Sequence, residues 1–356
     1  MPTTTPRHSY GLTLLRQSTW RDISNLLEDD TESILATKGE NIQVTNQRTQ
    51  RHDHDAEIRV HRARLEKALA EHLDIKWGNG FKDIQIHKDG PTRRIQIKFN
   101  DESSEMADIV IATDGIHSTI RKKLLPHVEA DVLPFVVFRG KRKLSAREWL
   151  DLEPYMNAKQ EAAAWISGEG QRLEVKLDEW KSEDEASVSY TYSRPAQRNG
   201  PDALHKPERN NDSAKQIPDE LFDEIAALTD IPAPFIPIYD IQKVRKDRLL
   251  HWLMRTLAIP DEQLTELAIS SGVLLIGEAA RATPILGGSG ANYAIQDGKE
   301  LADFIADVVR AGGHDLGVKL SDFYNTPYWK SRAIEQSEGI LIDLHDIKKS
   351  VESGKL

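Results

Sequence analysis

Residues 273 to 309 constrain this chain more than any other stretch. Val273-Leu274-Leu275-Ile276 is an apolar run closed by Gly277, which reads as a short strand buried on both faces. Glu278, Pro284 and a glycine cluster (Gly287, Gly288, Gly290) follow, and then an apolar-periodic run from Ala294 to Val309. This pattern predicts a strand, a ligand loop and a helix. Glycines let the backbone come close to a ligand, and the helix behind them points N–H groups and a partial positive charge at an anion.

Two further segments carry similar signals. Ala107 to Ala112 predicts a buried strand, ending in Thr113-Asp114-Gly115. A polar turn follows, with Ser118 or Thr119 as the cap of a helix that contains Arg121. Val60-His61-Arg62-Ala63-Arg64-Leu65 opens an amphipathic helix with Leu65, Leu69 and Leu73 on one face.

These three segments together resemble flavin-dependent aromatic hydroxylases and related monooxygenases. The 273–292 string resembles that family's Gly-Asp motif, with Glu278 where the family has Asp and Arg281 where it usually has His. Residues 107–121 look like its Asp-Gly fingerprint, and residues 60–65 like its His-Arg-x-x-Leu element. The resemblance implies FAD held by Arg62, Asp114, Gly115, Gly277, Glu278, Pro284, Gly288, Gly290, Ala291 and Asn292. It also implies NAD(P)H as a transient co-substrate and O2-dependent hydroxylation of an aromatic or polycyclic small molecule. No catalytic side chain carries over, because none has a motif here.

The fold expected is mixed α/β. An incomplete Rossmann-like FAD-binding domain takes residues 1–130 and 263–315, an antiparallel β-sheet substrate domain takes 131–262, and a C-terminal helix takes 316–356. Phe81 to His87 and Arg94 to Phe99 alternate apolar and polar residues and predict a hairpin. Val132 to Lys141 and Ala186 to Arg194 predict strands of one sheet, and Pro218 to Leu228 a helix on it. The polar span from Pro195 to Gln216 predicts a mobile surface loop. Leu320 to Val351 is helical by period.

The sequence contains no G-x-G-x-x-G turn, the element that holds the FAD pyrophosphate in this family. Gly78-Asn79-Gly80 lacks the third glycine and reads as a plain turn. Lacking that turn removes two charge-assisted hydrogen bonds of about 1.5–3 kcal/mol each. These residues by themselves are therefore expected to hold FAD weakly or not at all. The sequence reads as either an N-terminally incomplete flavoprotein or a descendant put to another use. The alternatives to a monooxygenase are a cofactor-free isomerase or cyclase on the same scaffold, and a non-catalytic remnant.

Composition narrows the remaining classes. The net charge of −10, from 47 basic and 57 acidic side chains, argues against nucleic acid or an anionic membrane as the main partner. The absence of cysteine excludes disulfides, Cys-zinc sites and thiolate catalysis. No signal-type segment or long apolar run appears, so a cytoplasmic location is expected. The histidines show no metal-ligand spacing, His52-Asp53-His54 included.

Each candidate also has a plain structural reading. Asp114 serves equally as a helix cap, and Arg62 and Arg64 as solvated helix residues. Glu278 carries its charge one methylene further out than Asp, so it either reaches the same ribityl oxygen or blocks it. Phe135, Phe138, Trp149, Trp165, Tyr190, Tyr192, Phe235, Tyr239 and the pair His251-Trp252 supply an aromatic pocket, although core packing is the expected role for most of them.

Overall fold

The computed structural model describes residues 11–27, 57–89, 92–156, 162–167, 170–182, 185–197, 200–208, 216–229, 231–284, 286, 289–312 and 316–334. The first strands along it are β1 (Gly11–Leu15), β2 (Glu57–His61), β3 (Phe81–Asp89), β4 (Thr92–Phe99), β5 (Ser104–Ala107) and β6 (Val110–Ala112). Then come β7 (Asp131–Ser145), β8 (Ala162–Ile166), β9 (Arg172–Ser182), β10 (Glu185–Pro195), β11 (Leu250–Ala258), β12 (Val273–Leu275) and β13 (Arg281–Ala282). The helices used below are α1 (Arg62–Ala70), α2 (Thr119–Leu124), α3 (Asp219–Ala226), α4 (Asp261–Ser271), α5 (Gly290–Arg310) and α6 (Leu316–Ser321). None of the described helices is long and apolar enough to cross a membrane.

The chain divides into two compact units, one built mainly from residues 74–131 and 255–334, the other from 11–73 and 132–254. In the first unit β12 and β6 pair in parallel, with Val273 opposite Val110, Leu274 opposite Ile111 and Leu275 opposite Ala112. Two ligand-type loops therefore leave the same end of one parallel ladder, as their sequences predict. Strand β12 is wholly buried, whereas β6 buries Val110 and Ala112 and leaves Ile111 38% exposed. Gly272, at φ 76°, ends α4 in the left-handed conformation and turns the chain straight into β12. The predicted hairpin forms, with Ile84 against Ile97 and Ile86 against Ile95. The strand expected from Ala107 is shorter: Ala107 closes β5 against Ile95, and the parallel strand begins only at Val110.

The second unit is an antiparallel sheet in the order β11-β7-β10-β9-β8. Its apolar face buries Phe138, Val175, Leu177, Val188, Tyr190 and Tyr192 against Leu221, Phe222 and Ile225 of α3. Most of the aromatic residues flagged in the sequence are thus core. Phe135, Trp149, Phe235 and Tyr239 are buried as well, while Trp165 and Trp252 remain partly exposed.

Two boundaries differ from expectation. The described residues 11–27 and 57–73 belong with the sheet unit, because the β1–β2 ribbon is fastened there. The Gly11 N–H donates to Asp178 Oδ1 at 2.9 Å, and Arg59 Nε donates to the Leu177 carbonyl at 2.9 Å. The polar span after Pro195 is also anchored where it is described. Asp202 is gripped by Arg194 at 2.7 and 3.0 Å, and Leu204 is buried. The C-terminal segment is helical at 316–321 and again at 327–334, with a 3-10 turn at Asp322–Asn325 between. The remainder of that predicted helix lies outside the described residues, as do His52 and His54.

Candidate functional site

Gly277 is the hinge of the loop that follows β12. Its φ of 60° favours glycine, and a Cβ there would sit 3.4 Å from the Cβ of Ala294 on α5. The backbone conformation is thus the reason for glycine, since a Cβ would meet Ala294 only at ordinary contact distance. The Gly277 N–H donates to Asp297 Oδ2 at 3.0 Å. Asp297 is fully buried; its other oxygen accepts from the Tyr328 hydroxyl at 2.6 Å and lies 3.5 Å from Arg332 Nε. The Arg332 guanidinium stacks 3.4 Å from the ring centroid of Tyr293. The loop is in this way clamped to α5 and to the last described helix.

A second clamp joins this loop to the one after β6. Buried Arg121 sends Nη1 to the Ala279 carbonyl at 2.9 Å and Nη2 to the Ile116 carbonyl. The arginine of the Asp-Gly segment therefore ties both loops together. Ser118 is the helix cap, accepting from the Arg121 N–H at 3.0 Å.

Asp114 shares that capping role. Its Oδ2 accepts from the Thr119 N–H at 2.7 Å, the Thr119 hydroxyl at 3.1 Å and the Ile120 N–H at 3.4 Å. Burial works to raise its pKa, but hydrogen bonds from Ser118, Thr119 and Ile120 outweigh it and hold the carboxyl below its ordinary value. The Asp114 carboxylate is thus fixed as an anion at the loop edge. Gly115 takes φ 77°, with open space where a Cβ would lie, so conformation alone accounts for glycine there.

Glu278 points at the entry of α5. A Cβ on Gly290 would lie 2.9 Å from Glu278 Oε1 and 3.7 Å from Thr283 Oγ1. The helix opens at Gly290 with no side-chain cap, and the first N–H groups of any helix have no carbonyl partners within it. The Thr283 hydroxyl is buried with no hydrogen-bond partner. Pro284 and Asn292 are buried and Ala291 is half-buried in the first turn. Gly287 and Gly288 lie outside the described residues.

Arg281 is committed elsewhere. It is 3% exposed, donates to the Trp329 carbonyl at 2.6 Å and to Asp261 Oδ1 at 2.5 Å, and its guanidinium lies 4.1 Å from the centre of a Trp329 ring. An open depression lined by Glu262, Glu266, Ile269 and Asn325 includes none of the loop residues.

Arg62 belongs to the other unit, where its Nε pairs with Glu66 at 2.7 Å and its side chain is 48% exposed. Arg64, read from sequence as a solvated alternative, instead reaches Glu179 at 2.7 Å. Helix α1 ends at Ala70, so Leu73 leaves the predicted apolar stripe and is exposed. Sequence reasoning missed Asp297, Tyr328 and Arg332. The spacing from Asn292 to Asp297 was visible, but nothing in it says that the acid turns back to a glycine N–H.

A parallel ladder carrying two clamped loops, with a glycine-entry helix behind one of them, is an arrangement of the dinucleotide-binding type. The comparisons with known proteins agree. Residues 252–320 match the family described as FAD binding domain. The chain is 28% identical over 294 residues to the FAD-dependent monooxygenase nscC of Neosartorya fischeri, covering 81% of this chain and 69% of that protein. It is likewise 28% identical over 295 residues to the FAD-dependent monooxygenase adaC of Aspergillus niger, covering 81% and 68%. The structure of 2,6-dihydroxypyridine-3-hydroxylase from Arthrobacter nicotinovorans shares the fold, with a TM-score of 0.63 at 17% identity, over 99% of this chain and 86% of that one. The chain is thus similar, over about four-fifths of its length, to FAD-dependent monooxygenases, and its residues 252–320 match an FAD binding domain. Its relatives favour that activity over a cofactor-free enzyme or a remnant.

Proposed function

We propose that this chain hydroxylates an aromatic or polycyclic small molecule, with FAD at the loops of the first unit and the sheet unit as the substrate side. The observation that carries this reading is the parallel register of β6 and β12, which sends the Asp114 and Glu278 loops out together with Arg121 between them. The residues present suit the ribityl end of FAD. A polyol needs acceptors and donors in a partly buried place, and the unpartnered Thr283 hydroxyl beside the glycine entry of α5 supplies one.

When bound, FAD supplies the redox chemistry, taking two electrons from NAD(P)H and using O2 as oxygen donor. The chain's residues bind and orient. Glu278 would accept from a ribityl hydroxyl, Thr283 would complete a hydrogen bond, and the N–H groups at the entry of α5 would favour negative charge. Asp114 stays ionised beside α2 and accepts from hydroxyl donors. Asp297 and Arg121 position the loop without touching the cofactor. Ile276, Ala279 and Ala280 are buried at the base of the loop and would help to exclude water there.

Glu278 gives a direct test. Its carboxylate at the entry of α5 competes with an anionic cofactor for the helix's positive end, a contest of about 0.3–2 kcal/mol. Glu278→Gln should therefore tighten FAD binding about 2- to 30-fold, and Glu278→Asp should tighten it by drawing the charge back one methylene. Quenching of flavin fluorescence on titration with the purified chain measures both. Unchanged binding in both variants would remove Glu278 from the cofactor site, and weaker binding in both would show that its carboxylate serves as acceptor rather than competitor. Reduction of added FAD by NADH or NADPH, with O2 uptake in the presence of a phenolic polycycle, tests the activity itself.

A further inference from the structure

We propose that the segment Leu73-Asp74-Ile75-Lys76-Trp77 docks a second copy of this chain, the two segments running antiparallel about a two-fold axis at Ile75. The inference is independent of the reading of the loops as an FAD site.

The segment holds its apolar side chains in solvent. Helix α1 ends at Ala70, and Gly78, at φ 88°, turns the chain on the far side. Between them Leu73 is 64% exposed, Ile75 38% and Trp77 70%. Singly exposed apolar residues are ordinary, but three within five positions, one of them a tryptophan, mark an interaction surface. Apolar and charged residues alternate here, and Asp74 pairs with Lys76 at 3.0 Å, as residues two apart on an extended segment do. The main chain is uncommitted as well. Among the described residues, the N–H groups of Asp74, Ile75 and Lys76 make no hydrogen bond. The Trp77 N–H makes only a local one, to the Ile75 carbonyl at 3.1 Å, a tight turn of the kind found at strand ends.

The order of the charges selects a second copy as the occupant. Antiparallel pairing centred on Ile75 sets Asp74 against Lys76 of the partner subunit, and Leu73 against Trp77 of the partner subunit. By symmetry each contact occurs twice, so two opposite-charge pairs and two aliphatic–aromatic pairs flank the axis. Carrying the register outwards sets His72 against Gly78 and Glu71 against Asn79, so no like charges meet. The Asp74–Lys76 pair within one copy is 82% and 65% exposed, and such pairs contribute little. Exchanging it for a pair across the axis therefore costs little. Three apolar side chains a copy fall short of the roughly 800 Å² per partner of a standard interface. The dimer is accordingly weak, with a Kd of about 10–100 µM.

Sedimentation equilibrium of the purified chain, from about one-tenth to ten times that Kd, should show monomer and dimer exchanging. Trp77→Ser should leave monomer throughout. Asp74→Lys and Lys76→Asp, which each make both pairs like-charged, should each weaken association about tenfold or more. An equimolar mixture of those two variants should associate again, because reversed charges then face opposite ones. All three positions are exposed, so the variants keep the native packing. An unaltered chain that stays monomeric, with the patch bare or covered by another part of the chain, overturns the proposal. A dimer that survives Trp77→Ser or either charge reversal places the contact elsewhere and overturns it too, as does a mixture that fails to recover.

Discussion

Replacing Asp297 by alanine is expected to destabilise the first unit by about 3–5 kcal/mol, the range for breaking one side of a buried charged pair. The carboxylate is fully buried and holds three groups: the Gly277 N–H, the Tyr328 hydroxyl and Arg332. Alanine would leave a guanidinium that is 2% exposed beside no counter-charge and a loop N–H without its acceptor. Asp297→Asn should cost less, since an amide oxygen still accepts from Gly277. Denaturant unfolding gives the total, and hydrogen exchange at Gly277 reports the loop itself. A cost under about 1 kcal/mol, below the usual value of even one buried hydrogen bond to a charged group, would show that the clamp is not what holds the loop. The functional consequence is distinct. The loop that carries Glu278 should lose its fixed place on α5, so FAD binding should weaken more in Asp297→Ala than in Asp297→Asn.

Arg194→Met should cost the sheet unit a similar amount, about 3–5 kcal/mol. Arg194 bridges Asp202 and Glu224 with four contacts between 2.7 and 3.0 Å, and Tyr192 donates to the same Glu224 at 2.5 Å. Methionine would leave two carboxylates facing each other at the edge of the core. The pH profile separates this from simple repacking. Burial alone would raise the Asp202 pKa, but the Arg194 guanidinium and the N–H groups of Gln197 and Leu204 drive it well below the carboxylate range. A depressed folded-state pKa stabilises above the unfolded value of about 3.9, and that stability is lost as pH falls through the folded value. The unaltered chain should thus lose stability below about pH 4. The variant, whose Asp202 no longer has this partner, should lose much less over the same range. Parallel acid profiles in the two proteins would refute the assignment.

The candidate site was legible in proportion to how local its chemistry is. Buried parallel strands appear in sequence as short apolar runs closed by glycine, so β6 and β12 and their loops could be placed from residues alone. The hairpin at 81–99 and the helix at 219–226 follow from alternation and period in the same way. Gly277 could be marked because a left-handed turn favours glycine, and Gly290 because it belongs to the glycine cluster ahead of a helix. Asp114 was visible in both its roles, and the capping role is the one its hydrogen bonds display.

What the sequence could not disclose depends on contacts between distant residues. The β1–β2 ribbon joins the sheet unit because Asp178, 167 residues along the chain, accepts the Gly11 N–H. No periodicity records that pairing. Arg62 and Arg64 are equivalent as letters, yet one pairs with Glu66 on its own helix and the other crosses to Glu179 on β9. Asp297, Tyr328 and Arg332 come from two helices and meet at one glycine N–H. Local propensity and pattern act over a few residues and so determined the strands, loops and helices, along with the class of ligand they suit. The placing of charges in low-polarity surroundings is settled only when remote segments pack, so the tertiary structure alone decided which acids and bases hold the site in place.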